Sequence, residues 1–203
     1  MTEEFNTQRD EKTDSRHNLT WHMMDINRQK REKQMQQKAF TIWMSGLSGA
    51  GKSTIANALE KRLYAMGKKT MLLDGDNVRM GLNSNLGFSD EDRNENIRRI
   101  GEIAALFRDA GIITLVSFIS PFREMRRVAR ERAGEGNFVE VYVNTDLQTC
   151  MERDPKGLYK KQIKNFTGKD SGYEEPLVPE LIADTKKYTA KECAEQIFDY
   201  IMM

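Results

Sequence analysis

The chain has 203 residues, of which 32 are basic and 31 are acidic, so its formal net charge is +1 at pH 7. This balance gives no reason to expect a nucleic-acid or membrane surface, and no apolar run reaches the ~18 residues of a membrane span. The length suits one α/β domain with a full core and is short for two. Because the chain has only two cysteines, no C-x-x-C spacing and no apolar leader, we expect a cytoplasmic protein with two buried thiols, Cys150 and Cys193.

The first 38 residues are almost entirely polar. Their one cluster of apolar side chains consists of Leu19, Trp21, Met23, Met24 and Ile26, which is too small to build a core. We therefore expect residues 1–38 to be an N-terminal arm, either disordered or docked through Trp21 on a partner subunit. Residues 39–203 are expected to form one domain with its own core.

Residues 46–53 read GLSGAGKS and match the phosphate-loop pattern G-x-x-x-x-G-K-S. A strand-like apolar run, residues 40–44, precedes them, and Ile55, Leu59 and Leu63 follow at helical spacing. Backbone N–H groups and a helix N-terminus then form a site for a polyphosphate, with Lys52 on the β- and γ-phosphates and the Ser53 hydroxyl available to Mg²⁺. The alternative, a glycine-rich helix start that binds nothing, does not require this order of strand, loop and helix.

Three further apolar runs, residues 70–73, 112–118 and 138–143, alternate with helical patterns. This alternation predicts an α/β fold of the three-layer P-loop NTPase type, in which helices cover both faces of a parallel sheet. Ligands of such sheets bind at the carboxyl ends of the strands. The residues directly after each run are therefore the candidates for chemistry.

Asp74 and Asp76 follow the second run. Two carboxylates at a strand end could hold Mg²⁺, accept a proton from an attacking hydroxyl, or merely cap a turn. Ser89 begins the next helical pattern, in which Arg93 and Asn96 share one face and could bind a second anionic ligand.

The third run ends in residues 117–123, where Phe118, Ile119, Pro121 and Phe122 form an apolar wall with one hydroxyl, Ser120, and one guanidinium, Arg123, at its rim. Such a wall could sandwich a heterocycle, or it could be a strand that ends at a proline. After the fourth run, residues 153–175 are basic, irregular and contain Pro and Gly, as is typical of a lid over an active site.

Five strings in the same order resemble the adenylyl-sulfate kinase (APS kinase) family: the phosphate loop, DGDNVR at 74–79, LGFS with the helix start at 86–99, FISP at 118–121, and RDPKGLY with FTG at 153–168. The resemblance runs from around Asn18 to the C-terminus. It implies transfer of the ATP γ-phosphoryl group to the 3′-hydroxyl of adenosine 5′-phosphosulfate, giving PAPS and ADP with Mg²⁺ as cofactor. It also implies a homodimer, and it raises association with an ATP sulfurylase as a further expectation.

The resemblance also implies roles for particular residues. The implied catalytic residues are Asp74, Lys52 and Ser120, and the implied metal ligands are Ser53 and Asp74. The expected ATP site comprises Gly46, Leu47, Ser48, Gly49, Ala50, Gly51, Lys52, Ser53, Thr54 and Arg153. The expected acceptor site comprises Asp76, Arg79, Phe88, Arg93, Asn96, Ile119, Ser120, Lys160 and Phe166.

Ser120 matches the serine that is described in this family as a phosphoserine intermediate. Direct in-line attack, with Asp74 accepting the proton, is chemically sufficient, because phosphoryl transfer depends mainly on positioning and charge neutralisation. We therefore expect direct transfer.

The chain departs from the family pattern at Met80, where His or Gln is usual, and at Lys169, where Ile is common. The stretch between residues 161 and 166 is also shorter than usual, which bears on lid closure and substrate affinity.

Two other classes of function share the phosphate loop. One is a kinase for gluconate or a nucleoside monophosphate, and the other is a nucleotide-gated switch, for which the N-K-x-D guanine motif is absent from the sequence.

Overall fold

A computed structural model describes residues 19–20, 22–134, 136–161 and 166–203. The expected docking of Trp21, and the expectation for residues 1–18, lie outside these residues. In the described part of the chain, no helix has both the length and the apolar character needed to cross a membrane.

Five parallel strands form the sheet, in the order β2-β3-β1-β4-β5. Their bounds are β1 (Thr41–Ser45), β2 (Thr70–Asp74), β3 (Ile113–Ser117), β4 (Phe138–Asn144) and β5 (Leu181–Asp184). The first four match the predicted apolar runs, whereas β5 was not predicted. With only four residues, an exposed Ile182 and a place at the sheet edge, β5 lacks the continuous apolar run of the buried strands.

Helices cover both faces of the sheet, as the alternating pattern predicted. Their bounds are α1 (Arg28–Met35), α2 (Lys52–Ala65), α3 (Gly75–Met80), α4 (Asp90–Asp109), α5 (Arg123–Ala133), α6 (Leu147–Arg153) and α7 (Ala190–Met202). Side chains of β1 alternate between two cores, because successive residues of a strand point to opposite faces. Ile42 and Met44 pack in the core that includes α2 and α7, and Trp43 packs in the core that includes α4 and α5.

Helix α1 is folded onto the rest of the chain, although the sequence placed it in the polar arm. Its Glu32 is buried and accepts hydrogen bonds from Arg28 Nε at 2.8 Å and from the Ala39 N–H at 2.9 Å. Beyond the helix, the buried Gln37 side chain donates to the Gly111 carbonyl at 2.7 Å and accepts from the Lys69 N–H at 2.9 Å. Polar residues therefore attach this segment through hydrogen bonds rather than through an apolar core.

Candidate active site

A cavity of about 860 Å³ opens at the carboxyl ends of β1, β2 and β3, where the fold predicts ligand binding. Its walls come from the phosphate loop, the starts of α3 and α4, the turn after β3, the lid and the loop before α7. All of the predicted site residues line this cavity except Gly46, Leu47 and Lys160. Lys160 is exposed on the lid.

The phosphate loop follows β1 and leads directly into α2. Gly46 has φ +146°, and a Cβ atom at this position would lie 2.6 Å from the Val143 carbonyl oxygen of β4. At Gly49, where φ is +79°, a Cβ would lie 2.9 Å from the Cys150 carbonyl oxygen. The loop is thus pressed against β4 and α6, and glycine is required at both positions because a side chain would meet backbone atoms.

Lys52, the first residue of α2, folds back under the loop. Its buried Nζ donates to the carbonyl oxygens of Gly46 at 2.9 Å and Leu47 at 2.7 Å. Burial lowers the pKa of Lys52 from 10.5 to about 8, and the nearby carboxylates of Asp74 and Asp76 only partly oppose this. The buried ammonium of Lys52 therefore has only neutral hydrogen-bond acceptors, and binding of an anion next to it would be favourable.

Three oxygen-bearing side chains meet beside the loop. Ser53 Oγ donates to Asp74 Oδ2 at 2.6 Å and lies 3.2 Å from Ser117 Oγ, at the end of β3. Asp74 ends β2 and also caps α3, because its Oδ1 accepts from the Asp76 N–H at 3.0 Å. Hydroxyl and carboxylate oxygens are the ligand types that Mg²⁺ prefers, and one carboxylate beside substrate phosphates is a common Mg²⁺ arrangement. The residues present therefore fit the metal.

Asp76 faces across the cavity rather than toward Ser53. Its carboxylate forms an ion pair with Lys156 of the lid. Both side chains are more than half exposed, so this pair contributes little to stability. It does bring the start of the lid to the edge of the phosphate-loop compartment.

Two arginines and an aromatic ring form the far wall of the cavity. Arg79 Nη1 donates to the Gly87 carbonyl at 2.7 Å, and its guanidinium lies 4.5 Å from the centre of the Phe88 ring. Arg93 Nε donates to the Phe88 carbonyl at 3.0 Å, and its Nη1 donates to Thr167 Oγ1 of the lid at 2.5 Å. Burial lowers the pKa of both arginines, and the charge of Arg93 adds to the effect at Arg79. Both stay protonated at any physiological pH, so this wall is cationic.

The predicted helix start at Ser89 is confirmed, since Ser89 Oγ accepts from the Asp92 N–H at 3.1 Å. Arg93 and Asn96, three residues apart on α4, both line the cavity as their shared face predicted. Asn96 is buried, and its Oδ1 accepts from Asn83 Nδ2 at 2.8 Å. The Asn83 side chain thus orients the Asn96 amide.

The turn after β3 forms the opposite wall. Ser120 has φ +45°, a left-handed conformation that is uncommon for a residue with a side chain. Its hydroxyl is buried and accepts a hydrogen bond from Trp43 Nε1 at 3.0 Å. The Ile119 carbonyl accepts from the Gly46 N–H at 3.3 Å, so this turn and the phosphate loop are joined directly.

No helix or strand occurs in the described residues between α6 and β5, in agreement with the irregular lid that the sequence predicted. Tyr159 Oη donates to the Ser48 carbonyl of the phosphate loop at 2.9 Å, and its ring contacts that of Phe166 edge-on, with 4.8 Å between centroids. At the lid start, Arg153 donates to Thr185 Oγ1 and to the Thr185 carbonyl, each at 2.8 Å. Of the three departures from the family pattern, Lys169 donates to the Tyr159 carbonyl at 3.1 Å and Met80 is exposed, whereas the shortened stretch, residues 162–165, lies outside the described residues.

Several lining residues were not predicted. The signal for Ser117 is its position, since it ends β3 as Asp74 ends β2, and the signal for Lys156 is its place in the RDPKGLY string at 153–159. The remaining segment, residues 185–190, follows β5, and it was missed because β5 itself was not recognised. Cys150 and Cys193 are free and buried, as predicted.

The family model described as adenylylsulphate kinase matches residues 38–184. The adenylyl-sulfate kinase of Clostridium acetobutylicum is 55% identical over 188 residues, covering 91% of this chain and 94% of that protein, and that of Staphylococcus carnosus is 53% identical over 188 residues, with coverage of 91% and 94%. Among solved structures, the Mycobacterium tuberculosis APS kinase in complex with AMPPNP and APS has a TM-score of 0.79 and 42% identity, covering 82% of this chain and 99% of that chain. The chain belongs to the adenylyl-sulfate kinase family.

Proposed function

We propose that this chain is an adenylyl-sulfate kinase, which transfers the γ-phosphoryl group of ATP to the 3′-hydroxyl of adenosine 5′-phosphosulfate and releases PAPS and ADP. The observation that carries the proposal is one continuous cavity with a phosphate loop at one end and the cationic wall of Arg79 and Arg93 at the other. Two anionic nucleotides need two such compartments. Family membership supports the same reaction.

ATP binds at the phosphate loop, residues 46–54, with Arg153 beside its base. Lys52 leaves the carbonyl oxygens of Gly46 and Leu47 and moves to the β- and γ-phosphates. This exchange is favourable because a buried ammonium gains more from a polyphosphate than from neutral carbonyl groups. In the transition state the same cation neutralises charge on the transferring group.

Mg²⁺ is part of the proposal, with Ser53 and Asp74 as the residues that would hold it. The ion supplies charge neutralisation between the phosphate oxygens when it is bound. The short contact between Ser53 Oγ and Asp74 Oδ2 supports this assignment, because it holds both oxygens at one point beside the loop.

Adenosine 5′-phosphosulfate occupies the second compartment. Arg79, Arg93 and Asn96 bind its phosphosulfate, Phe88 and Phe166 enclose its adenine, and Ile119 contributes apolar surface. Asp76 lines the passage between the compartments. Lys160 is exposed outside the cavity lining, so its proposed contact with the acceptor requires the lid to move.

Transfer is direct. The 3′-hydroxyl oxygen attacks the γ-phosphorus, the bond from that phosphorus to the ADP oxygen breaks, and the hydroxyl proton passes to the Asp74 carboxylate. Ser120 lines the acceptor side through a hydroxyl that already accepts from Trp43 Nε1, and we assign it a role in positioning the substrate rather than as a nucleophile.

The proposal includes a cytoplasmic location and a homodimer. Association with an ATP sulfurylase would supply the acceptor directly, and it too stays a proposal.

An acceptor panel tests the function itself. We expect ATP-dependent formation of ADP with adenosine 5′-phosphosulfate, matched mole for mole by PAPS, and only background turnover with gluconate or nucleoside monophosphates. A coupled assay of ADP release, with chromatographic detection of PAPS, measures both. Efficient phosphorylation of gluconate or of a nucleoside monophosphate, without PAPS formation, would contradict the proposal.

The lowered pKa of Lys52 predicts a pH dependence of ATP binding. Below about pH 8 Lys52 is charged with or without ATP, so its contribution to affinity is constant. Above that pH, Lys52 of the free enzyme loses a proton that it retains in the complex with ATP. We expect ATP affinity to fall from about pH 8 to pH 9.5, by at most about tenfold per pH unit, with proton uptake on binding. Calorimetry in buffers of different ionisation enthalpy measures both effects.

Lys52→Arg is the control for that experiment, because a guanidinium keeps its proton throughout this range. Whatever its absolute affinity, this variant should show no such fall and no proton uptake. Wild-type affinity that stays flat to pH 9.5 would show that Lys52 does not meet the phosphates as an ammonium with a lowered pKa.

Arg93→Ala tests the acceptor compartment. Since a guanidinium on a buried anion contributes more than a neutral hydrogen bond, we expect affinity for adenosine 5′-phosphosulfate to drop about 10- to 100-fold, with ATP affinity nearly unchanged. Arg98→Ala removes an exposed arginine from the same helix and is the matched control. Equal losses for both nucleotides, measured by calorimetry, would mean that Arg93 acts on the fold as a whole.

A comparison of Ser120→Ala with Asp74→Asn tests direct transfer. Ser120→Ala removes one hydrogen bond with Trp43, which corresponds to at most about a tenfold loss of turnover. Asp74→Asn removes the proton acceptor and should cost about a hundredfold or more. Steady-state turnover is measured on variants that still bind both nucleotides. Complete loss in Ser120→Ala, with phosphate trapped on wild-type Ser120 and chased into PAPS, would establish the covalent route instead.

A further inference from the structure

Arg126 on α5 is almost completely buried, with 3% of its surface exposed, although it does not line the cavity. Arginine is rarely buried unless every part of its guanidinium is satisfied. The residue belongs to none of the strings that predicted the active site. Its partners explain why it is inside the protein.

The three nitrogen atoms of the guanidinium reach three separate segments. Nη1 donates to the Ser120 carbonyl at 2.6 Å, and Nη2 donates to the Glu174 carbonyl at the end of the lid at 2.6 Å. Nε lies 2.8 Å from Glu140 Oε1 on β4. One side chain therefore joins the turn of the acceptor wall, the lid and the sheet.

Other contacts support the same junction. The Glu174 N–H donates to the Pro121 carbonyl at 2.8 Å, so the end of the lid pairs with the turn through backbone as well. The Arg126 guanidinium lies 5.7 Å from the centre of the Tyr173 ring, whose Oη is hydrogen-bonded to Ser45 Oγ at 3.1 Å. Ser45 is the last residue of β1, directly before the phosphate loop.

The conformation of Ser120 makes such support necessary. A residue with a side chain at φ +45° is strained and persists only where its surroundings hold it. Arg126 fixes the carbonyl of Ser120, and Trp43 fixes its hydroxyl. A lysine could not replace this arrangement, because a single ammonium cannot present donors in the planar fork that reaches all three partners.

We propose that Arg126 is a positioning residue for the acceptor: it holds the Ser120 turn in its strained form and joins that turn to the end of the lid. The identity of the acceptor rests on the proposed function, whereas the mechanical role does not. Arg126 touches no substrate and acts only through the turn and the lid.

The same helix offers a matched control in Arg130. This residue is also an arginine in ion pairs, since its guanidinium binds Glu180 at 2.7 Å through both Nη atoms and approaches Glu140 at 3.5 Å. Its main partner, Glu180, does not line the cavity, and its contact with Glu140, which Arg126 approaches at 2.8 Å, is the longer of the two. If ion-paired arginines on α5 acted only on the stability of the fold, substitutions at Arg126 and at the partly exposed Arg130 would be alike in their effect on substrate.

The kinetic test compares Arg126→Lys with Arg130→Lys, after circular dichroism has verified that both are folded. We expect the KM for adenosine 5′-phosphosulfate to rise at least about tenfold in Arg126→Lys, because a small displacement of a positioning wall is costly. The KM for ATP should stay within about twofold, and Arg130→Lys should change neither value by more than that. An unchanged acceptor KM, or equal rises in both KM values, would overturn the proposal.

A second readout does not require activity. The chain has two tryptophans, so in a Trp21→Phe background the only indole N–H resonance is that of Trp43, which reports directly on Ser120. Arg126→Lys should shift this resonance in the ligand-free protein, and Arg130→Lys should leave it in place. A resonance that does not move in Arg126→Lys would overturn the proposal, even if the wild-type protein proved not to phosphorylate adenosine 5′-phosphosulfate.

Should Arg126→Lys not fold, Glu140→Gln replaces it in both experiments. This variant preserves the shape of the side chain but removes the charge that orients the Arg126 guanidinium. It should shift the Trp43 resonance and raise the acceptor KM selectively, in the same directions. The absence of both effects would also overturn the proposal.

Discussion

The close approach of Gly46 to its neighbours is the constraint on which the rest of the site depends. The end of β1 passes between β3 and β4, and at Gly46 the backbone is so near the Val143 carbonyl that a Cβ would lie 2.6 Å from it. The N–H of the same residue donates to the Ile119 carbonyl of the acceptor wall. One residue without a side chain thus sets the positions of the phosphate loop, β4 and the turn after β3 relative to one another. A methyl group at this point would push all three apart.

Two kinds of cation in and beside the cavity differ in what they bind. Lys52 and Arg79 donate to backbone carbonyls, which are neutral and can be exchanged for phosphate oxygens at a gain. Arg126, in contrast, forms an ion pair with a carboxylate and donates hydrogen bonds to two carbonyls. An anionic ligand would gain little from Arg126 and much from the first group. The partners of Lys52 and Arg79 therefore suit ligand binding, whereas those of Arg126 suit support of the fold around the ligand.

The lid is attached to the rest of the protein at points that belong to different compartments. Arg153 binds the segment after β5, Tyr159 binds the phosphate loop through Ser48, and Glu174 binds the acceptor turn. Between these points, Phe166 packs on Tyr159 and lines the cavity. Movement of the lid therefore acts on the nucleotide end and on the acceptor end together, which suits a reaction that transfers a phosphoryl group between two bound nucleotides and excludes water from the transfer.

Local sequence determined much of this protein. The order of strand, GLSGAGKS loop and helix identified the nucleotide end, the alternation of apolar runs predicted four of the five strands, and the Ser89 cap was visible because capping depends on neighbouring residues. Only the tertiary structure decided the rest. Polarity alone placed residues 28–37 in an arm, since the hydrogen bonds of Glu32 and Gln37 to distant backbone groups leave no local pattern. Edge strand β5 was too short and too exposed to be predicted from its sequence. The cavity wall at residues 185–190, which follows β5, was missed for that reason. The role of Arg126 could not be predicted from sequence for the same reason as the contacts of Glu32 and Gln37. Its partners Ser120, Glu140 and Glu174 are separated along the chain and are brought together only when the sheet and the lid pack.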